Sequence, residues 1–188
     1  FDWIRSDWGW MVGAKRVTFS TTGARGWEEF FRFPVLPNLA VSLHSAREEV
    51  RRYLMPGVRV PLEELRERML EYAGRENKQV SVEYCLLRGV NAAPEDADAL
   101  VDYLRGVPCK VNLLNYNPDS QRGGTREFSP ASREALLRFR ARISSGGLPV
   151  LYRRSLGVEI GAGCGQLVGS TRRSAGPASL SPDPEPEP

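Results

Sequence analysis

Short runs of β-branched and aromatic residues alternate along this chain with longer stretches whose apolar residues recur every three or four positions. Five runs read as strands: 16–21 (RVTFST), 38–44 (NLAVSLH), 80–87 (VSVEYCLL), 110–116 (KVNLLNY) and 149–155 (PVLYRRS). They are short, and the middle three are too rich in strand-forming residues to be buried helices. Between them, 62–76 sets Leu62, Leu65, Met69, Leu70 and Tyr72 on one side with charges opposite, and Pro61 stands where a helix can begin. Pro94 opens a second helix through Ala97, Leu100, Val101 and Leu104 that stops near Gly106 and Pro108. Ser129-Pro130 starts a third carrying Leu136, Leu137, Phe139 and Ile143, ended by Gly146-Gly147, and 24–33 and 45–54 read as shorter helices. Such alternation predicts an α/β protein with a parallel sheet and right-handed crossovers. A complete eight-fold barrel takes about 250 residues, so four to five β/α units read as part of a barrel, with the 16–21 strand on an open edge.

Composition narrows this picture. At 188 residues the chain can bury one core, or one core plus a tail. The 41% hydrophobic and 26% charged content is that of an ordinary globular protein. No apolar run approaches the roughly 18 residues of a membrane helix, and no signal peptide precedes the first strand. The opening residue is Phe1, which reads as a piece of something longer. From about Ser170 the chain loses any apolar face and becomes rich in proline and serine, so 170–188 is expected to be a disordered tail beside a barrel portion at 1–169. The net charge is +3, and because Asp183, Glu185 and Glu187 all lie in the last eleven residues, the rest carries +6. Mild basicity suits an RNA partner without proving one. The three cysteines, Cys85, Cys109 and Cys164, are widely spaced, which argues for a reducing cytoplasm rather than a disulfide framework. With no Cys-x-x-Cys pair and His44 the only histidine, the chain has no zinc or iron–sulfur site of its own.

Ligands of parallel α/β sheets gather at the carboxyl ends of the strands. Ser20 closes the first strand and Ser42 and His44 the second, where period-two alternation puts both side chains on one face; Asn117 follows the fourth. Hydroxyl, imidazole and amide groups at one rim can bind a polar cofactor, and they can equally cap strands and start turns. Cys164 sits in the glycine-rich loop 161–167, open enough for a thiol that meets a bulky substrate, though a cysteine in a turn can also be simply structural. The loop is not a dinucleotide-binding turn, because Gln166 stands where the last glycine belongs. Cys85 and Cys109 lie in or beside strands, and burial is expected for both. Arg153, Arg154, Arg172 and Arg173 read as an RNA-phosphate patch or as a solvated arginine surface.

In order and spacing, a set of segments covering roughly residues 10–168 resembles the radical-SAM adenine-C-methyltransferases of ribosomal RNA, the RlmN/Cfr type. The segments are Lys15 to Gly23, Asn38 to His44, Leu54-Met-Pro56, Pro61 to Leu65, Glu83-Tyr84 with Leu86-Leu87, and Gly89-Val-Asn91. Pro108 to Leu113, Tyr116-Asn-Pro118, Arg153-Arg-Ser155 and Cys164 to Leu167 complete the set. The resemblance implies the C-terminal part of a radical-SAM barrel, with Ser20, Ser42, Leu43, His44 and Asn117 holding S-adenosyl-L-methionine. It implies that Cys164 carries the methyl group as S-methylcysteine, because the target carbon of adenine is not a nucleophile. It implies an adenine of 23S rRNA, and of tRNA, as substrate, with carbon 2 favoured over carbon 8. A 4Fe-4S cluster and an external electron donor are also implied, the cluster's ligands and the resolving cysteine being expected upstream of Phe1, so that the chain alone is expected to be inactive.

Three departures bear on substrate identity: Gly157-Val-Glu-Ile160 where the family commonly has Gly-Asp-Asp-Ile, Gly163 where alanine is usual, and Asn115 in place of a proline. Two other readings stand beside this one. They are a divergent radical-SAM enzyme with a non-RNA substrate, and a non-catalytic fragment that binds RNA or protein.

Overall fold

The computed structural model describes residues 12–24, 26–116 and 128–153. Five strands form one sheet: β1 (Thr18–Thr21), β2 (Asn38–Ser42), β3 (Val80–Leu86), β4 (Cys109–Asn115) and β5 (Val150–Arg153). They lie in chain order, and every neighbouring pair is parallel. Between them run α1 (Glu48–Leu54), α2 (Leu62–Glu76), α3 (Pro94–Leu104) and α4 (Arg133–Ser145), with 3₁₀ turns at Ala14–Arg16 and Trp27–Arg32. Among the described residues β1 pairs only with β2, as the open-edge reading expects. No described helix is long and apolar enough to cross a membrane.

Sequential parallel order has a consequence for the two faces. Each crossover advances one strand in the same direction with the same hand, so all the helices fall on one side. β3 records this: Val80, Val82, Tyr84 and Leu86 are buried, while Ser81, Glu83 and Cys85 on the other face are only half-buried. The helix side holds the core, where Leu39, Val41, Val82, Val111 and Leu113 meet Leu65, Met69 and Tyr72 of α2, Leu100 of α3, and Phe139 and Ile143 of α4. Tyr72 is anchored at its polar tip, its hydroxyl accepting from Leu39 N–H at 3.2 Å and donating to Pro37 O at 3.0 Å.

Several boundaries differ from the sequence expectation, each for a local reason. α4 starts at Arg133, not at Ser129-Pro130, because Pro130 is drawn into an isolated antiparallel bridge with Leu87 and Ser132 is the cap, its hydroxyl accepting from Ala135 N–H at 3.1 Å. Leu137 is exposed: Leu136, Phe139 and Ile143 define the buried stripe, and one residue along the helix is a turn of about 100° away from it. Within the 24–33 segment, Trp27–Arg32 forms a 3₁₀ turn, with Trp27 and Phe30 buried. α3 begins as expected at Pro94, with the Asp96 carboxylate accepting from Ala93 N–H at 3.0 Å. The 161–167 loop and the 170–188 tail lie outside the described residues.

Met69 is wholly buried and Leu137 half-exposed. In urea unfolding of the chain, Met69→Ala is expected to lower stability by about 2–5 kcal/mol. Leu137→Ala should stay within about 0.5 kcal/mol.

Candidate functional site

The open face and the carboxyl ends of β1 and β2 meet in a cleft of about 380 Å³. Ser20 pairs in register with Ala40, and Ser42 lies two residues beyond Ala40, so both serines are on the helix-free face. Both line the cleft, together with Thr21, Thr22 and Trp27. A second cleft of about 300 Å³ lies at the opposite ends of β4 and β5, lined by Gln79, Val101 and residues 104–109 and 146–149.

The wall formed by the turn after β1 is built by backbone geometry that a single buried cation fixes. Gly23 has φ +76°, a region that side-chain-bearing residues rarely adopt, and its N–H donates to Thr21 Oγ1 at 2.9 Å. Arg51 of α1 is 1% exposed. Its Nη2 donates to Thr22 O at 2.6 Å and its Nη1 to Val60 O at 3.0 Å. Burial draws its pKa below the usual arginine value, against the raising effect of Tyr103 and Glu48. Carbonyl oxygens and nearby negative groups are what a buried guanidinium needs.

β2 ends at Ser42, short of the expected 38–44 strand. His44 turns to φ +57°, so strand alternation does not extend to it and cannot be the reason it shares a face with Ser42. Other bonds hold this departing backbone. Leu43 N–H donates to Glu83 O at 3.0 Å, and the Leu43 side chain belongs to the core. His44 Nδ1 accepts from Cys85 N–H at 3.1 Å. The wholly buried Asn91 then ties the ends of β2 and β3 together. Its Nδ2 donates to His44 O at 2.6 Å and Cys85 O at 2.8 Å, its Oδ1 accepts from Leu87 N–H at 2.7 Å, and its carbonyl accepts from the Tyr84 hydroxyl at 2.9 Å. Because Nδ1 is an acceptor, the neutral ring carries its proton on Nε2 and offers a single N–H. Burial, with Arg51 nearby, pushes the His44 pKa down to about 4, so the ring is neutral near pH 7.

Of the residues singled out in the sequence, Ser20 and Ser42 thus share one cleft, whereas Leu43, with its side chain in the core, and His44 follow the end of β2 and are not among the residues lining it. Asn117, Cys164, Arg154, Arg172 and Arg173 lie outside the described residues, and Arg153 is exposed on β5. Cys109 is buried, as expected, and Cys85 is only half-buried on the helix-free face. Burial pushes both thiols up to about 11, which leaves them protonated and poor nucleophiles near neutral pH. Sequence reasoning gave no role to Arg51 or Asn91. Asn91 lay inside a recognised segment, but nothing in its spacing shows that it closes a knot between strands.

The His44 environment predicts a pH dependence. The unfolded chain takes up the ring's proton below about pH 6.5 and the folded chain only near 4. Stability contributed by the neutral buried ring is therefore full above pH 6.5 and is lost as the pH falls to 4, up to about 3 kcal/mol. Urea unfolding midpoints should fall across this window, and His44→Asn, which keeps an acceptor near the Cys85 amide, should flatten that part of the profile.

No family model matches the chain. It is 41% identical over 169 residues to a protein of Flavobacterium johnsoniae described as a probable dual-specificity RNA methyltransferase RlmN, covering 88% of this chain and 47% of that relative. A radical SAM methyltransferase from Sphaerobacter thermophilus superposes with a TM-score of 0.78 at 36% identity, covering 87% of this chain and 47% of that one. The fold extends to a domain of pyruvate-formate lyase-activating enzyme from Bacteroides vulgatus, at a TM-score of 0.54, 20% identity, and coverage of 73% of this chain and 80% of that one. The chain spans about half the length of the curated relatives it matches, and over that stretch it is a homologue of the RlmN radical-SAM methyltransferases.

Proposed function

We propose that this chain contributes the S-adenosyl-L-methionine-binding rim and the methyl-carrying cysteine of a radical-SAM RNA methyltransferase. The substrate in this reading is an adenine of 23S rRNA, and of tRNA, methylated at carbon 2. The observation that carries it is the cleft at the carboxyl ends of β1 and β2, where Ser20 and Ser42 offer hydroxyl groups on one face. His44, bonded through Nδ1, adds one imidazole N–H at the end of the same β2 segment. Homology to the RlmN methyltransferases at about 40% identity points the same way.

In this reading Ser20, Ser42, the backbone of Leu43, His44 and Asn117 hold the cofactor. A neutral His44 donates from Nε2 without adding positive charge beside a sulfonium, and Arg51 and Asn91 keep the two strand ends in register. Cys164 then acts as a nucleophile. Bound S-adenosyl-L-methionine would supply the methyl group, which the Cys164 thiolate, its proton already lost, would take to become S-methylcysteine with S-adenosyl-L-homocysteine as the leaving group. Cys85 and Cys109 do not suit this step, since their burial keeps them as thiols.

The described residues do not fit a 4Fe-4S cluster. No group of three or more potential metal-ligating side chains occurs among them. The three cysteines of the whole sequence are far apart along the chain. Cluster and electron donor would have to engage residues other than these.

Two measurements test the reading. The intact enzyme, treated with S-adenosyl-L-methionine and digested, should carry one methyl group on the peptide holding Cys164 and none on those holding Cys85 or Cys109. Cys164→Ala should abolish both that label and RNA methylation; methylation that survives in the variant contradicts the carrier role. In direct titration, Ser20→Ala and Ser42→Ala should each weaken S-adenosyl-L-homocysteine binding by about fivefold, the worth of one hydrogen bond.

A further inference from the structure

The helix-free face carries a side-chain pair that the reading above does not use. Glu83 of β3 and Asn112 of β4 are direct neighbours in the register. On its other side Glu83 pairs with Ser42, which lines the cleft. One row of the sheet thus presents Ser42, Glu83 and Asn112 side by side on the same face.

Asn112 Nδ2 donates to Glu83 Oε1 at 2.6 Å. A carboxylate only accepts, so Glu83 dictates which end of the amide faces it and turns Oδ1 away. Asn112 is 6% exposed, and its Oδ1 is buried without a hydrogen-bond partner among the described residues. A buried acceptor in that state calls for a partner, whether a ligand, an ion or an ordered water.

We propose, resting on the cofactor and substrate reading above, that Asn112 Oδ1 accepts a hydrogen bond from the exocyclic amino group of an adenine bound over this face. Glu83 is the positioning residue that holds the amide in the reading orientation. A free asparagine reads adenine with both amide atoms. Asn112 has Nδ2 committed to Glu83, so it reads the amino group alone. Binding replaces the protein atoms that cover Oδ1 with the base, and because bulk water does not reach this atom, a mismatched base is not rescued by solvent. Hypoxanthine carries an oxo group in place of the amino group and would set two acceptors against each other.

The test uses the whole 188-residue chain and two probe pairs. S-adenosyl-L-homocysteine against S-inosyl-L-homocysteine represents the cofactor's base. An RNA hairpin with adenine or hypoxanthine at one unpaired position represents the target base. Wild type should prefer the adenine member of one pair by at least about fivefold, and the pair that shows it identifies which adenine is read. Asn112→Leu should bring that preference to within about twofold. Glu83→Gln, a near-isosteric change that decides the matter where the leucine variant fails to fold, should narrow it as well. A glutamine can present either end to Asn112 and so releases the lock on the amide, an effect that loss of packing alone does not produce. Equal binding of both members of both pairs by wild type overturns the inference, as does a preference left intact by Glu83→Gln. A chain that binds S-adenosyl-L-homocysteine while discriminating in neither pair removes this inference and leaves the cofactor reading standing. A chain that binds none of the probes removes both.

Discussion

The structure depends on one topological constraint: parallel strands laid down in chain order must be joined by crossovers of the same hand, which sends every helix to one side. One face of the sheet is thereby packed with Leu, Val and aromatic residues against α2, α3 and α4. Among the described residues the other face has no helix of its own, and it carries Ser20, Ser42, Ser81 and Glu83. A sheet covered on both sides needs near-continuous apolar strands. The clean alternation of β3 is the signature of the one-sided arrangement. The polar site is therefore what this topology leaves over once the core is built.

At the site itself the backbone leaves regular structure twice, at Gly23 and at His44. Each departure is held by one buried polar side chain that reaches across from another element. Arg51 binds the carbonyl of Thr22 from α1, and Asn91 binds the carbonyl of His44 from the loop after β3. Neither side chain is exposed, and each makes two or more hydrogen bonds to backbone. Rigid support of this kind is what a binding rim on strand ends requires, because the hydroxyl and imidazole groups are only as well positioned as the turns that bear them.

The elements were legible in the sequence where one physical signal dominated. A run of strand-forming residues identified β3, and the 62–76 stripe identified α2 with Leu65, Met69 and Tyr72 buried. Ends were less legible, because they are set by single contacts from distant parts of the chain. Pro130 bridges Leu87 and delays α4, and the positive φ of His44 ends β2 two residues early. At the site, Ser20 and Ser42 could be found from the rule that ligands gather at strand ends. The contacts of Arg51, Asn91 and Asn112 could not, since they include partners 29 to 47 residues away.

The central claim is that the carboxyl ends of β1 and β2 bind the cofactor. Amide hydrogen exchange of the chain with and without saturating S-adenosyl-L-homocysteine tests it most directly. The account predicts slowed exchange at 18–24 and 42–45, with the opposite cleft at 104–109 and 146–149 unchanged. Protection confined to that opposite cleft, or none at 18–24 and 42–45 while the ligand is bound, would contradict it.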